Sequence, residues 1–222
     1  MLYAINQPVA LVGLLIAFLL ALTLRVVAMR LTARALGMDA RRGPLLPDPR
    51  EDIDPFGAVA ALLVGTGWGR PVDTGAMPRW ASRGRRAAVV AAGPLTPLFI
   101  GLLGVVGFQL AFPDTALVGT ASSVLRGVDA PSLIQQLLIS FIVGLLCFGL
   151  LNLIPLPPLD GFALLWLSMR HVGAAGEKAR YWLVDNNIGV LILLIMSFFP
   201  FAAPFLHIFI DLMALPFLWV WA

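Results

Sequence analysis

The 222 residues are 60% hydrophobic and only 12% charged, whereas soluble domains carry roughly 25% charged residues. This composition excludes an ordinary soluble domain and predicts an all-α integral membrane protein, a polytopic helical bundle. The formal charge of +3 gives no argument for nucleic acid, and no glycine-rich phosphate loop follows a strand, so we expect neither nucleic acid nor nucleotide as a ligand.

The first half of the chain predicts two spans with a shorter apolar segment between them. Residues 8–24 are uncharged and, with the next turn, reach the ~20 residues that a spanning helix needs. Residues 55–69 are too few to cross and have arginines on both sides, which favours a re-entrant segment. Residues 87–113 form the second predicted span. The positive-inside rule then places the basic loops in the cytoplasm and the amino terminus outside.

The second half of the chain predicts three more spans. Residues 131–151 form the third span, and residues 186–200 and 204–222 form a last pair. The prediction is therefore about five spans plus one re-entrant segment. They belong to a single transmembrane domain, residues 1–222, with a core over 8–169 and a C-terminal helix pair over 182–222. We expect the lipid bilayer of a bacterial plasma membrane as the surroundings.

A proline-rich break with one carboxylate follows the third span. It reads Asn152-Leu153-Ile154-Pro155-Leu156-Pro157-Pro158-Leu159-Asp160-Gly161. Proline frees backbone groups that need other partners at membrane depth, and an ionisable residue there is expensive. Two interpretations stay open at this point. The break is either a proline-kinked helix with Asp160 at the water interface, or part of a functional site.

Four short motifs, in this order, resemble the site-2 protease family. They are Ile53-Asp54-Pro55-Phe56-Gly57, Gly67-Trp68-Gly69-Arg70-Pro71-Val72, Ala92-Gly93-Pro94-Leu95, and Asn152-Leu153-Ile154-Pro155 with Leu159-Asp160-Gly161. The family consists of intramembrane zinc metalloproteases, and the chain is similar to its small form without a PDZ insert. The resemblance runs from the first span to the last, and the Asn-x-x-Pro and Leu-Asp-Gly elements are its most specific part.

The family's zinc chemistry needs an H-E-x-x-H motif on the first span and the aspartate of Leu-Asp-Gly as the third ligand. When the chain is aligned on Ala35-Leu36-Gly37, the motif positions hold Arg25, Val26, Val27, Ala28 and Met29. Both histidines and the glutamate are absent there. Asp52 also stands where the family has a further histidine. Of the family's catalytic set, Asp160 remains, with Asn152 beside it.

This departure predicts a catalytically degenerate protein, a pseudoprotease. One carboxylate without imidazoles cannot hold a catalytic zinc ion, and no positioned base remains. We therefore expect no catalytic residue, metal or cofactor, and a role as a binding, assembly or accessory subunit for another membrane protein. The alternative is an active intramembrane protease or hydrolase with a rearranged metal site, in which zinc would be the cofactor. A transport or lipid-handling role is a third option.

Two side-chain arrangements have alternative interpretations. Arg25 either snorkels to the interface as a topology determinant, or forms a structural ion pair with Asp160 while Met29 packs where a second imidazole would lie. His207 and Asp211 are four residues apart and share a helix face. They form either a local hydrogen bond or, together with Asp160, the rearranged metal site of the alternative.

Overall fold

A computed structural model describes residues 4–38, 44–115, 120–169, 172–198, 200–201 and 203–215. Within these ranges the regular secondary structure is helical, including a π-helix at Tyr181–Asp185, apart from one two-residue β pairing and one isolated β-bridge. The helices are α1 (Pro8–Ala35), α2 (Pro49–Asp52), α3 (Pro55–Val64), α4 (Arg83–Ala111), α5 (Ala121–Leu125), α6 (Leu133–Asn152), α7 (Asp160–Ser168), α8 (Ala174–Arg180), α9 (Ile188–Phe198) and α10 (Phe205–Ala214). Strands β1 (Pro200–Phe201) and β2 (Ala203–Pro204) pair antiparallel between α9 and α10.

Three helices of the described chain are long and apolar enough to cross a bilayer, namely α1, α4 and α6. A fourth span is reached if the segments Ala174–Val184 and Ile188–Ser197, bent by 60° at a short break, count as one. The fold class is therefore a helical membrane protein with three to four candidate spans. Part of the last predicted span, residues 216–222, lies outside the described residues.

Helix α1 runs eleven residues beyond the predicted segment 8–24, because the arginines that follow do not break it. Arginine is a good helix former. The helix ends only where Gly37 takes a left-handed conformation with φ +68, and the Met38 amide donates back to the Ala33 carbonyl at 2.8 Å. A helix end of this kind is a common stop signal. The extension places Arg25 and Met29 on the spanning helix itself.

The core is formed by α1, α4 and α6, which pack against one another. Small residues let these helices approach closely, as expected where lipid gives no hydrophobic drive between helices. An added Cβ at Gly144 would lie 2.7 Å from the Ala17 Cβ, and one at Gly101 would lie 2.8 Å from the Leu146 backbone nitrogen. Helix α6 is therefore buried along most of its length between its two neighbours.

The segment around α3 enters and leaves the fold at the same place. Asp54 caps the helix, accepting a hydrogen bond from the Phe56 amide at 3.2 Å, and Gly65 ends it with φ +96. The chain then turns back, and Ile53 forms an isolated β-bridge with Gly69. A ten-residue helix is too short to cross a bilayer.

The outer faces of α1 and α4 are apolar. Their exposed large side chains are Val12, Leu15, Ile16, Leu19 and Leu20 on α1, and Leu95, Phe99, Leu103, Val106 and Leu110 on α4. Helix faces with this many exposed large apolar side chains are rare on soluble monomers. On helices of spanning length, such faces indicate contact with the lipid bilayer.

Candidate functional site

Arg25 and Asp160 form a two-pronged ion pair inside the bundle. The Arg25 Nε donates to Asp160 Oδ2 at 2.7 Å, and Nη2 donates to Oδ1 at 2.6 Å. The two side chains are 3% and 0% exposed. A snorkelling guanidinium would lie at the surface, whereas this one is enclosed. The short, bidentate geometry is the arrangement in which Arg binds a carboxylate most strongly.

The loop between α6 and α7 places the Asp160 carboxylate next to α1. Residues 153–159 leave the helical path through the prolines, with a cis peptide between Pro157 and Pro158, and α7 restarts at Asp160. An added Cβ at Gly161 would overlap the carbonyl oxygen of Leu153, so only glycine lets the new helix begin this close to the end of α6. Asp160 thus stands in the first turn of α7, where a carboxylate also suits the helix dipole.

The segment after α3 supplies the remaining wall of the site. Arg25 Nη2 donates a further hydrogen bond to the Arg70 carbonyl at 3.0 Å. A Cβ at Gly69 would lie 2.8 Å from Arg25 Nη1. The Asn152 amide donates to its own helix at the Phe148 carbonyl, 2.8 Å, and to the Gly67 carbonyl at 3.3 Å. Asn152 therefore ties α6 to this segment.

Val26 and Met29 pack on the same side of α1 without polar partners. Val26 is buried. Met29 lies against Gly93 of α4, where an added Cβ would overlap the Met29 Cε and come within 3.2 Å of the Arg25 Cγ. Gly93 therefore lets α4 approach the helix face that carries Arg25 and Met29.

Two further polar contacts brace the site, and spacing along the sequence predicted neither. Arg30 Nη2 donates to both carboxylate oxygens of Asp52, at 3.1 and 2.8 Å. The indole Nε1 of the fully buried Trp68 donates to Asp54 Oδ2. The resemblance drew attention to Asp52 and to the Asp-Pro-Phe-Gly element, but nothing in the sequence paired either acid with its partner.

The predicted hydrogen bond between His207 and Asp211 is wrong. His207 Nε2 lies 3.2 Å from the Val64 carbonyl, while Nδ1 is buried and has no hydrogen-bond partner among the residues that the structure describes. Asp211 turns to α5, where its oxygens accept from the Ser122 amide at 2.8 Å and the Ser122 hydroxyl at 2.6 Å. Each side chain forms its hydrogen bond with a different helix, His207 with α3 and Asp211 with α5. These bonds replace the one that was predicted between the two residues.

The described residues of this site do not offer the ligands of a zinc ion. Among the residues that the structure describes, no three His, Cys, Asp or Glu side chains are grouped to hold a metal, so Asp160, His207 and Asp211 do not form such a group. The one carboxylate at the family's ligand position has both oxygens on Arg25. A catalytic zinc ion needs about three protein ligands and an open position. His171 lies outside the described residues.

A cavity of about 310 Å³ opens beside the site. Its wall includes Val72, Pro157, Pro158, Leu159 and Phe162, which belong to the segment after α3, to the proline-rich loop and to α7. The opposite wall includes Arg180, Leu183, Val184 and Val190, so the cavity lies between the proline-rich loop and the segment from α8 to α9. A mainly apolar wall of this kind suits an apolar ligand or polypeptide segment.

The similarity to known proteins agrees with the motifs. The chain is 30% identical over 156 residues to the protein named "Putative zinc metalloprotease YwhC" of Bacillus subtilis (strain 168). The aligned part covers 68% of this chain and 67% of that protein. No family model matches the chain, and no solved structure matches it. The chain belongs to the site-2 protease family, as the four motifs predicted.

Proposed function

We propose that this protein is a catalytically inactive member of the site-2 protease family that acts as a binding, assembly or accessory subunit for another membrane protein. The observation that supports this most strongly is the buried pair of Arg25 and Asp160. It uses the carboxylate that the family resemblance assigns to the metal. A divalent cation on that carboxylate would be repelled by the guanidinium that is already paired with it.

The absence of a base supports the same proposal. Val26 stands where the family's glutamate would be, and a branched apolar side chain cannot take a proton from water. General-base catalysis is worth ~10²–10⁴ in rate. Losing both the metal ligands and the base removes the hydrolytic machinery, while the helices, the proline-rich loop and the adjoining cavity are kept. The helices that remain can still bind another membrane protein.

The proposal includes a topology and a location. Five spans plus one re-entrant segment, in one domain over residues 1–222, place the amino terminus outside and the basic loops in the cytoplasm of a bacterial plasma membrane. The doubling back of the chain between Ile53 and Gly69 supports the re-entrant segment. The partner we propose is a membrane protein whose apolar segment contacts the cavity beside the proline-rich loop.

The competing proposal is an active intramembrane protease or hydrolase with a rearranged zinc site. Under that proposal His207 is a ligand and its replacement abolishes function. The variant His207→Gln discriminates the two, because glutamine keeps a nitrogen that can donate to the Val64 carbonyl but is a poor zinc ligand.

The experiment compares the abundances of membrane proteins in cells that naturally contain this protein and in the same cells after deletion of its gene. The accessory role predicts that at least one membrane protein or complex falls in abundance on deletion and returns when either the wild type or His207→Gln is expressed. Cross-linking of that protein to the wild type identifies it as a direct partner. Accumulation of an uncleaved membrane protein in the deletion, reversed by the wild type but not by His207→Gln, would overturn the proposal.

A further inference from the structure

A second, cationic pocket of about 360 Å³ lies where α4, α7 and α8 meet, at the arginine-rich end of α4. Its charged side chains are Arg83, Arg86, Arg180 and Glu177. Among the described lining residues, three guanidinium groups and one carboxylate leave a formal excess of two positive charges. The pocket contains neither Arg25 nor Asp160. It borders the cavity beside the proline-rich loop and shares Thr74, Trp166 and Arg180 with it.

The arginines of this pocket are held in place by different means. Arg83 Nη1 donates to the Met169 carbonyl at 2.8 Å. The Arg180 guanidinium lies over the Trp166 ring, 5.1 Å from its centroid, in a cation–π arrangement. Arg86 differs, because its Nε is buried and has no hydrogen-bond partner within the described chain. A buried donor on a charged group is costly when it has no acceptor.

The start of α4 adds a second argument for an anion. Arg83, Arg85 and Arg86 stand in its first turn, which contains no acidic residue. The amino-terminal end of a helix carries a partial positive charge and favours acidic side chains. Three like charges at this end repel one another and the helix dipole. A bound anion would relieve both effects.

The opposite wall of the pocket is apolar. Trp166, Leu167 and Val172 line it, and the uncharged part of the spanning helix α4 begins at Ala87, directly after the arginines. The pocket therefore presents cations and apolar surface together at the end of a span. Basic pockets between membrane helices at this level bind lipid headgroups.

We propose that this pocket binds the phosphate-bearing headgroup of an anionic phospholipid. The phosphate lies among Arg83, Arg86 and Arg180, and the glycerol and first methylenes lie on Trp166 and Leu167. The excess of two positive charges favours a headgroup with a net negative charge over a zwitterionic one.

The test measures lipid binding to the detergent-purified protein by native mass spectrometry. The protein is titrated with phosphatidylglycerol, with phosphatidylethanolamine, and with phosphatidylglycerol in the presence of millimolar inorganic phosphate. We expect one phosphatidylglycerol to bind, with Arg86→Gln and Arg180→Gln each weakening binding by about tenfold. The control Arg85→Gln removes the same charge from the same helix turn but lines no part of the pocket, and it changes binding less than about twofold.

A variant that is expected to bind more tightly serves as a further control, because unfolding of the protein cannot produce tighter binding. Glu177→Gln removes the one carboxylate of the pocket and is expected to tighten phosphatidylglycerol binding by about threefold or more. Equal loss of binding in Arg85→Gln and Arg86→Gln would overturn the proposal, as would equal affinity for phosphatidylethanolamine. Displacement by millimolar inorganic phosphate would assign the pocket to a free anion and overturn the lipid assignment.

Discussion

Replacing Asp160 by asparagine is the sharpest perturbation of the buried ion pair, because it removes the charge and keeps the shape. In the native protein both Asp160 oxygens accept from Arg25, at 2.7 and 2.6 Å, and both side chains are almost fully enclosed. Removing one partner of such a pair leaves an uncompensated buried charge and costs about 3–5 kcal/mol. An exposed pair would contribute about 0–1 kcal/mol.

The assay is the free energy of unfolding in mixed micelles, measured as a double-mutant cycle. The cycle contains Asp160→Asn, Arg25→Met and the double variant, and Asp114→Asn serves as a control on an exposed carboxylate. Each single variant of the pair is expected to lose about 3–5 kcal/mol. The double variant loses less than the sum of the two, with a coupling energy of at least about 2 kcal/mol, because no unpaired charge is left behind.

A free energy of unfolding of Asp160→Asn within about 0.5 kcal/mol of the wild type, as for surface substitutions, would contradict a strong buried pair. Single effects that simply add in the double variant would contradict it as well. Either result would mean that the enclosed geometry carries no energetic link between the two side chains.

Three further predictions concern the supports of the site. Gly93→Ala forces the Met29 side chain away from α4 and lowers the free energy of unfolding by about 1–3 kcal/mol; adding Met29→Ala recovers part of the loss in the same unfolding assay. Asp211→Asn weakens the contact of α10 with α5 and speeds maleimide labelling of Cys147, the chain's single cysteine, which is buried beneath α5; an unchanged rate would contradict this. Arg30→Met costs about 1 kcal/mol or less, because its pair is partly exposed. The Pro44 and Leu46 carbonyls, which accept from Arg30 Nη1 at 2.9 and 2.6 Å, lose this donor, so limited proteolysis near them becomes faster.

The long apolar helices were predictable from composition, but their ends were not. Uncharged runs located α1, α4 and α6 because membrane spans must satisfy their backbone groups internally. Helix α1 nevertheless continues through Arg25 and Arg30 until Gly37 ends it, and α4 begins before the apolar run and passes through Pro94 and Pro97. Charge marks the edge of the apolar sequence, whereas capping geometry marks the edge of the helix.

The site was predictable only in part, because its contacts join distant segments. Family motifs brought Arg25 and Asp160 into one hypothesis although 135 positions separate them. No comparable motif related Arg30 to Asp52. For His207 the local rule misled, since helix spacing favoured Asp211 while tertiary packing offered the Val64 carbonyl. Helix periodicity alone cannot tell which of two possible hydrogen-bond partners a side chain will use, because that choice depends on how the helices pack.

The most direct test of the central claim is the zinc content of the purified protein after zinc loading and removal of loosely bound metal. We expect well below one zinc ion per wild-type chain. A variant that combines Arg25→His, Val26→Glu and Met29→His restores H-E-x-x-H opposite Asp160 and is expected to hold about one. One zinc ion per wild-type chain, lost in Asp160→Ala, would contradict the claim.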